Sequence, residues 1–144
     1  QNVDDLHERG GSKNILHLHG SLNTCKSSGN ENHIESMPSQ GLKIGDNCPK
    51  GFQLRPNIVW FGEMVPNMQK AEAIVREADI LIIIGTSLNV YPAAGLAYIT
   101  QPDCQIILID PGEIQVNLPK DILHIKKPAT QAMPVLFNLL NLNS

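Results

Sequence analysis

DILIIIGTSLNVYPAAGLAYIT, residues 79–100, decides the fold. Its first seven residues, DILIIIG (79–85), are apolar without alternation, the pattern of a parallel strand covered on both faces. GTSLNVYPAA (85–94) then turns into a helix predicted over 91–100, with Pro92 near its start, where a missing N–H costs little. On the N-terminal side, KAEAIVREA (70–78) carries Ala71, Ile74, Val75 and Ala78 at helical spacing, and NIVWF (57–61) reads as a strand. On the C-terminal side, QIILID (105–110) reads as a second buried strand, DILHI (121–125) as a shorter third, and ATQAMPVLFNLL (129–140) as the closing helix. Strands alternating with helices at this spacing predict an α/β protein with a doubly wound parallel sheet.

Ahead of these elements the pattern is less regular. VDDLHERGG (3–11) predicts a short helix with acids in its first turn and a Gly pair at its end. Ile15 to Leu18 reads as a strand, with Leu16 and Leu18 on one face and His17 and His19 on the other. From Gly20 to Pro56 the apolar content collapses into Ser, Asn, Gly, Lys and Pro. A structureless stretch of that length is uncommon inside a domain. The expectation is therefore a main domain over 1–19 and 57–144, with 20–56 as an inserted module, a functional loop or a mobile segment. The chain opens on QNVDD without an initiator Met, which predicts a piece of something longer.

Composition narrows the function. With 144 residues, 42% hydrophobic and 17% charged, the chain suits one globular domain. A net charge of −3 and a single Trp argue against nucleic acid, which needs a basic face or a stacking platform. The longest apolar run is far short of a membrane span, so no membrane partner is expected. No charged-then-apolar leader is visible, and three cysteines make no disulfide framework. A cytoplasmic setting is expected.

In a doubly wound sheet ligands bind beyond the carboxyl ends of the strands. That selects His19-Gly20, Phe61-Gly62-Glu63, Gly85-Thr86-Ser87 and Asp110. The small residues at 85–87 let backbone N–H groups approach a phosphate, although many such turns are small for steric reasons alone. Asp110 can accept the hydroxyls of a ribose, or merely cap its own turn through Pro111-Gly112. His19 suits a general base or a satisfied structural histidine, and His17 reads as support. Glu63 reads as a structural or substrate-backbone residue, since no second carboxylate lies nearby in sequence to tune it. Cys25-Lys-Ser-Ser28 and Cys48-Pro-Lys-Gly51 are each half of a C-x-x-C knuckle. Zinc would need His33, Glu31 or Asp46 to complete its shell at irregular spacing, so a metal-free loop is the expectation.

Five blocks in order, QNVDDLHERGG, LHLHGSL, RPNIVWFGEMVP, IGTSLNVYPAA and LID, resemble the sirtuins, the NAD-dependent protein-lysine deacylases. The resemblance spans nearly the whole chain. It implies a Rossmann-like sheet that is incomplete at its N-terminal side, because the family's Gly-rich phosphate loop lies upstream of Gln1. It implies His19 as the catalytic base, and Gln1, Asn2, Asp4, Gly85, Thr86, Ser87, Asp110 and Ala129 as NAD-binding residues. Val59, Phe61, Gly62 and Glu63 match the acyl-lysine segment, and Asn89, Val90 and Tyr91 the loop facing it, so that a substrate peptide would add as a strand. In the family's mechanism the acyl oxygen attacks the ribose carbon as nicotinamide leaves. The histidine then helps deprotonate a ribose hydroxyl, and the products are free lysine, nicotinamide and acylated ADP-ribose.

The implied cofactor is NAD and the implied partner an acylated-lysine protein or peptide. Asp110 stands where the family usually has Asn. Cys25 and Cys48 are the surviving half of the family's zinc ligands, which predicts a metal-free or disordered 20–56 segment. Two other readings remain open from sequence: a non-catalytic NAD- or ADP-ribose-binding module, and a zinc-stapled interaction domain.

Overall fold

The computed structural model describes residues 1–86, 88–113 and 121–142. They fall into two compact units, Gln1–Met68 and Gln69–Ser144.

The first unit is built on an antiparallel sheet. Helix α1 (Leu6–Arg9) is one turn long, and Asp4 opens it by accepting the Leu6 N–H at 3.1 Å. Strand β1 (Gly20–Ser27) pairs on one side with β2 (Ile34–Ser36) and on the other with β3 (Leu54–Ile58). This corrects two expectations. The 20–56 stretch, taken as structureless, carries β1, β2 and most of β3. The strand expected at Ile15–Leu18 starts instead at Gly20, although Leu18 is buried as its pattern required. The physical reason is that β1, GSLNTCKS, turns only Cys25 and Ser27 fully inward, so its inner face is short and hardly apolar. Pairing, not hydrophobic alternation, makes it a strand. The strand expected at 57–61 likewise ends at Ile58, and Val59 continues only through a single bond from its N–H to the His19 carbonyl, 2.9 Å.

Between Ser21 and Cys25 the register of β1 against β3 shifts, since Ser21 faces Asn57 and Cys25 faces Pro56. Leu22 to Thr24 form this bulge, and bulged residues lose their ladder partners. The freed Leu22 N–H bonds instead to the Val3 carbonyl at 2.8 Å, which ties the N-terminal segment to the sheet. Cys25, Cys48 and Leu54 form a small buried cluster with Met37 and Leu42 packed against it.

The second unit has helix α2 (Met68–Arg76), parallel strands β4 (Ile80–Ile84), β5 (Gln105–Ile109) and β6 (Ile122–Ile125) in the order β4-β5-β6, a 3-10 helix (Ala93–Tyr98), and helix α3 (Ala129–Leu139). The parallel sheet and its crossover order agree with the sequence. β5 is the centre: Ile106, Ile107, Leu108 and Ile109 are all buried, and Ile107 and Ile109 join Ile125, Ala132 and Leu136 of α3 in one cluster. Burying each such side chain is worth about 1.5–3 kcal/mol. β4 departs from expectation. Ile80, Ile82 and Ile84, which share one face of the strand, stay 37–46% exposed. An unalternating apolar run marks a strand's capacity for burial on both faces, not the presence of the second cover.

Gly20 is where the first unit admits no side chain. Its φ is +83°, and a Cβ there would lie 2.0 Å from the Asn57 carbonyl oxygen. At Gly41 the φ is +73° but a Cβ would meet open space. Gly41→Ala should therefore cost only the strain of left-handed backbone, about 1–2 kcal/mol. Gly20→Ala should cost more than Gly41→Ala, because it also forces β1 and β3 apart. Denaturant unfolding of the two variants checks this; equal losses would show that the close approach at Asn57 constrains nothing.

Candidate functional site

His19 stands in the turn just ahead of β1, half-buried, and not at the carboxyl end of a parallel strand as expected, because the strand begins only after it. Its backbone and its ring are engaged differently. The carbonyl accepts from Val59, as described. The ring Nδ1 lies 3.0 Å from the Gln1 carbonyl oxygen. A carbonyl can only accept, so Nδ1 carries the hydrogen and Nε2 holds the basic lone pair. One residue thus links the QNVD block at Gln1, the candidate base, and the Val59–Glu63 segment, all within the first unit. Gln1 and Asn2 are exposed, and Asp4 is half-buried with one oxygen on the Leu6 N–H.

His17 is engaged elsewhere. Its Nε2 donates to a carboxylate oxygen of Glu8 on α1, and its carbonyl accepts the Asn67 side-chain amide at 2.8 Å. The imidazole hydrogen bond holds the Glu8 carboxyl below the usual carboxylate range.

Beyond Val59 the chain makes a tight turn. The Glu63 N–H bonds the Trp60 carbonyl at 3.0 Å, and the Glu63 carboxylate accepts the Trp60 N–H at 3.0 Å with one oxygen and the Arg55 guanidinium with the other. The Trp60 N–H, together with the nearby charges of Arg55 and Lys26, pulls the Glu63 carboxyl below its ordinary range. Glu63 is an ionised brace and not a proton donor. Gly62 sits at φ +88°, and Phe61 and Met64 are almost fully exposed.

In the second unit the selected residues gather at the carboxyl edge of the parallel sheet. The Gly85 N–H bonds the Ile109 carbonyl at 2.9 Å, so the turn after β4 and Asp110 after β5 lie side by side. Gly85 has φ +64° with nothing within 4 Å of a would-be Cβ, leaving its backbone open to a ligand. The Thr86 hydroxyl accepts the Leu88 N–H at 3.2 Å. Ser87 lies outside the described residues. Asp110 uses one carboxylate oxygen on the Gly112 N–H at 2.8 Å, the turn-capping role, and its carbonyl lies 2.9 Å from His124 Nε2. Asn89, Val90 and Tyr91 are exposed ahead of the 3-10 helix, and Ala129 is exposed in the first turn of α3.

The knuckle positions have a different chemistry. Cys48 Sγ lies 3.2 Å from Ser27 Oγ, and this hydrogen bond lowers the thiol's pKa. Burial, and after it the Glu35 charge, pushes the Cys25 thiol up, away from thiolate. His33 Nε2 is 2.9 Å from Glu35. Ser28 and Gly51 bring no thiolate, and among the described residues no three His, Cys, Asp or Glu are placed to share a metal. The donor set does not fit a tetrahedral zinc.

A three-stranded parallel sheet flanked by helices, joined in sequence to a small antiparallel module, defines an α/β protein of the Rossmann-like class. A profile of the Sir2 family matches residues 1–92, and the chain belongs to that family. It is 45% identical over 145 residues to an NAD-dependent protein deacylase of Bacteroides thetaiotaomicron, covering 97% of this chain and 62% of the relative. It is 47% identical over 133 residues to one of Helicobacter pylori, covering 92% and 58%. The chain therefore spans about three fifths of the length of these relatives. Among solved structures, a mutant Sir2 homologue in complex with ADP-ribose matches at a TM-score of 0.84 and 40% identity, over 98% of this chain and 58% of that one. A Sir2 homologue–NAD complex matches at 0.81 and 39%, over 98% and 56%. A Sir2–p53 peptide–NAD complex matches at 0.78 and 27%, over 99% and 62%. The fold is Rossmann-like, with the small module attached.

Sequence reasoning missed Arg55, Glu8 and Asn67, whose partners lie 8, 9 and 50 residues away. The sole signal for Arg55 was its place in the RPNIVWFGE block; nothing in spacing pointed to Glu8 or Asn67.

The Glu8–His17 pair gives a pH test. A folded-state carboxyl pKa below the unfolded value, about 4.3 for Glu, contributes stability above that value and loses it as pH falls through the depressed one. Glu8→Gln should thus be less stable than wild type at pH 7, and the gap should close as pH drops below about 4. Thermal melts at both pH values check it, and a gap that stays constant would refute the pairing.

Proposed function

We propose that the protein carrying this chain is an NAD-dependent protein-lysine deacylase that transfers the acyl group of an acylated-lysine peptide to ADP-ribose and releases nicotinamide. The observation that carries the reading is the position of His19, with Nδ1–H committed to the Gln1 carbonyl and its own carbonyl bonded to Val59. That arrangement leaves the Nε2 side of the ring to the substrates, beside both the QNVD block and the acyl-lysine segment. The names of the relatives support the same reading.

NAD, when bound, supplies the ribose carbon that takes the acyl oxygen as nicotinamide departs. On this reading Gln1, Asn2 and Asp4 hold the nicotinamide end, and His19 Nε2 takes a proton from a ribose hydroxyl. Gly85, Thr86 and Ser87 bind the phosphates through backbone and hydroxyl groups. Asp110, with one oxygen on its own turn, offers the other to the adenine ribose, and Ala129 lies by the adenine. The Val59–Glu63 segment takes the acylated peptide alongside it, and the resemblance gives Asn89, Val90 and Tyr91 a substrate role as well. Three free cysteines, all buried, fit a reducing cytoplasmic setting, and a net charge of −3 fits a partner other than nucleic acid. Among the described residues no helix is long and apolar enough to cross a membrane.

Nicotinamide release from the full-length protein, given NAD and an acylated peptide, tests the reading. His19→Ala should lower turnover by about 10²–10⁴-fold, the usual contribution of a general base, while binding of both substrates persists. Unchanged turnover in that variant sinks the assignment. Binding of ADP-ribose with no nicotinamide release from wild type would favour the non-catalytic module.

The same reading makes the 20–56 module metal-free. Elemental analysis of the purified protein should find far less than one zinc per chain, and EDTA should leave its melting temperature in place. Stoichiometric zinc, or a melting temperature that falls on chelation, would restore the zinc-stapled reading.

A further inference from the structure

The turn at 60–63 is short of apolar support. Trp60, Phe61 and Met64 are 52%, 99% and 90% exposed, and Gly62 adds backbone freedom at φ +88°. Its order comes from polar contacts that converge on one side chain. Arg55, on β3, donates through one guanidinium nitrogen to the Ile58 carbonyl at 3.2 Å and through another to the Glu63 carboxylate, while its planar head lies 4.5 Å from the centre of the Trp60 ring. It therefore grips the end of the strand, the far end of the turn and the ring between them. A guanidinium can do all three at once because its donors are fixed in a plane and its face stacks on aromatics.

The register gives this grip a direction. Arg55 faces Lys26 across the β1–β3 ladder, and that ladder ends in the Val59–His19 bond. Two facing cations would repel one another. Glu63 supplies the compensating charge, so the turn is drawn back towards β3 and the Arg55–Lys26 rung of the ladder.

We infer that Arg55 is a positioning residue for the acylated peptide, acting through Glu63 and Trp60 to hold the turn after Val59 in one place relative to the rung that joins Val59 to His19. This deepens the deacylase reading and rests on it. Arg55 touches neither substrate nor cofactor in this scheme. Its effect falls on the peptide and not on NAD, because the turn it holds belongs to the peptide's side of the site.

The test is steady-state kinetics of the full-length protein, with peptide and NAD varied separately, on Arg55→Ala, Arg55→Lys, Glu63→Gln and the double variant Arg55→Ala/Glu63→Gln. Arg55→Ala should raise the KM for acylated peptide about tenfold, the equivalent of one charge-assisted hydrogen bond, with the KM for NAD unchanged. Arg55→Lys keeps the charge but not the fork, and should recover part of the loss. Glu63→Gln should shift the peptide KM in the same direction. The double variant should be no worse than the worse single one, because the two residues act as one brace. A peptide KM equal to wild type in Arg55→Ala overturns the inference, as does a parallel rise in both KM values, which marks general loss of structure. Should Arg55→Ala not fold, Arg55→Lys and Glu63→Gln carry the same comparison. Wild type that releases no nicotinamide would remove the deacylase reading and this inference with it. A turning-over wild type with indifferent Arg55 variants would remove the inference alone.

Discussion

The pairing of Gly20 with Ile58 brings two backbones closer than any side chain would permit, and the first unit is arranged around that approach. The ladder runs one bond past the strands, from the Val59 N–H to the His19 carbonyl, so that the histidine and the segment after β3 begin at the same point. The bulge at Leu22–Thr24 then turns a lost ladder contact into the Leu22–Val3 bond, which holds the N-terminal residues within reach of the same histidine. Three stretches far apart in sequence meet through backbone hydrogen bonds. Side chains only refine the geometry: the Gln1 carbonyl selects the His19 tautomer, and Arg55 restrains the turn.

The second unit uses the same device with parallel strands. Ile84 is paired with Ile109 at the end of the β4–β5 register, and the Gly85 N–H adds one further bond to the Ile109 carbonyl. Gly85 can then turn away at positive φ while Asp110 begins its own capped turn alongside. In both units a glycine with left-handed backbone stands at the end rung of a ladder, Gly20 where the chain enters β1 and Gly85 where it leaves β4, and functional groups become available beside it. Strand ends suit function for this reason. The sheet fixes the position of the residue, and the turn releases its polar groups from the ladder.

How much of this was legible in the sequence follows from what stabilises each part. The parallel sheet was readable because β5 is held by burial and the strands beside it are as apolar in residue type, even where their faces stay open. β1 was not readable, since GSLNTCKS is a strand by pairing with Leu54–Ile58 nearly thirty residues away, and pairing leaves no local mark. His17 and His19 were distinguishable only by position, and their actual difference lies in partners, Glu8 for one and Gln1 for the other. Asp110 had two readings, and the structure supplies the turn cap without removing the ribose role, because a carboxylate has two oxygens. Arg55 escaped notice because a charged residue in a half-polar strand looks like solvated surface until its three contacts are seen.

The same reasoning accounts for the small module. Its buried cluster is Cys25, Cys48 and Leu54, with Met37 and Leu42 at its margin. That core is small for the 20–56 stretch it serves, so backbone bonding has to supply much of the order. The stretch is ordered because β1 belongs to it and to the histidine end of the sheet at once, and because Ser27, Ser28 and Leu54 carry backbone bonds to His33, Gln53 and Asp46 that spread the ladder into the loop. A metal clamp would be one way to stabilise so small a core. The extended ladder, with a serine hydroxyl set against Cys48, is another, and it ties the module's order to the same Gly20–Ile58 approach that positions His19.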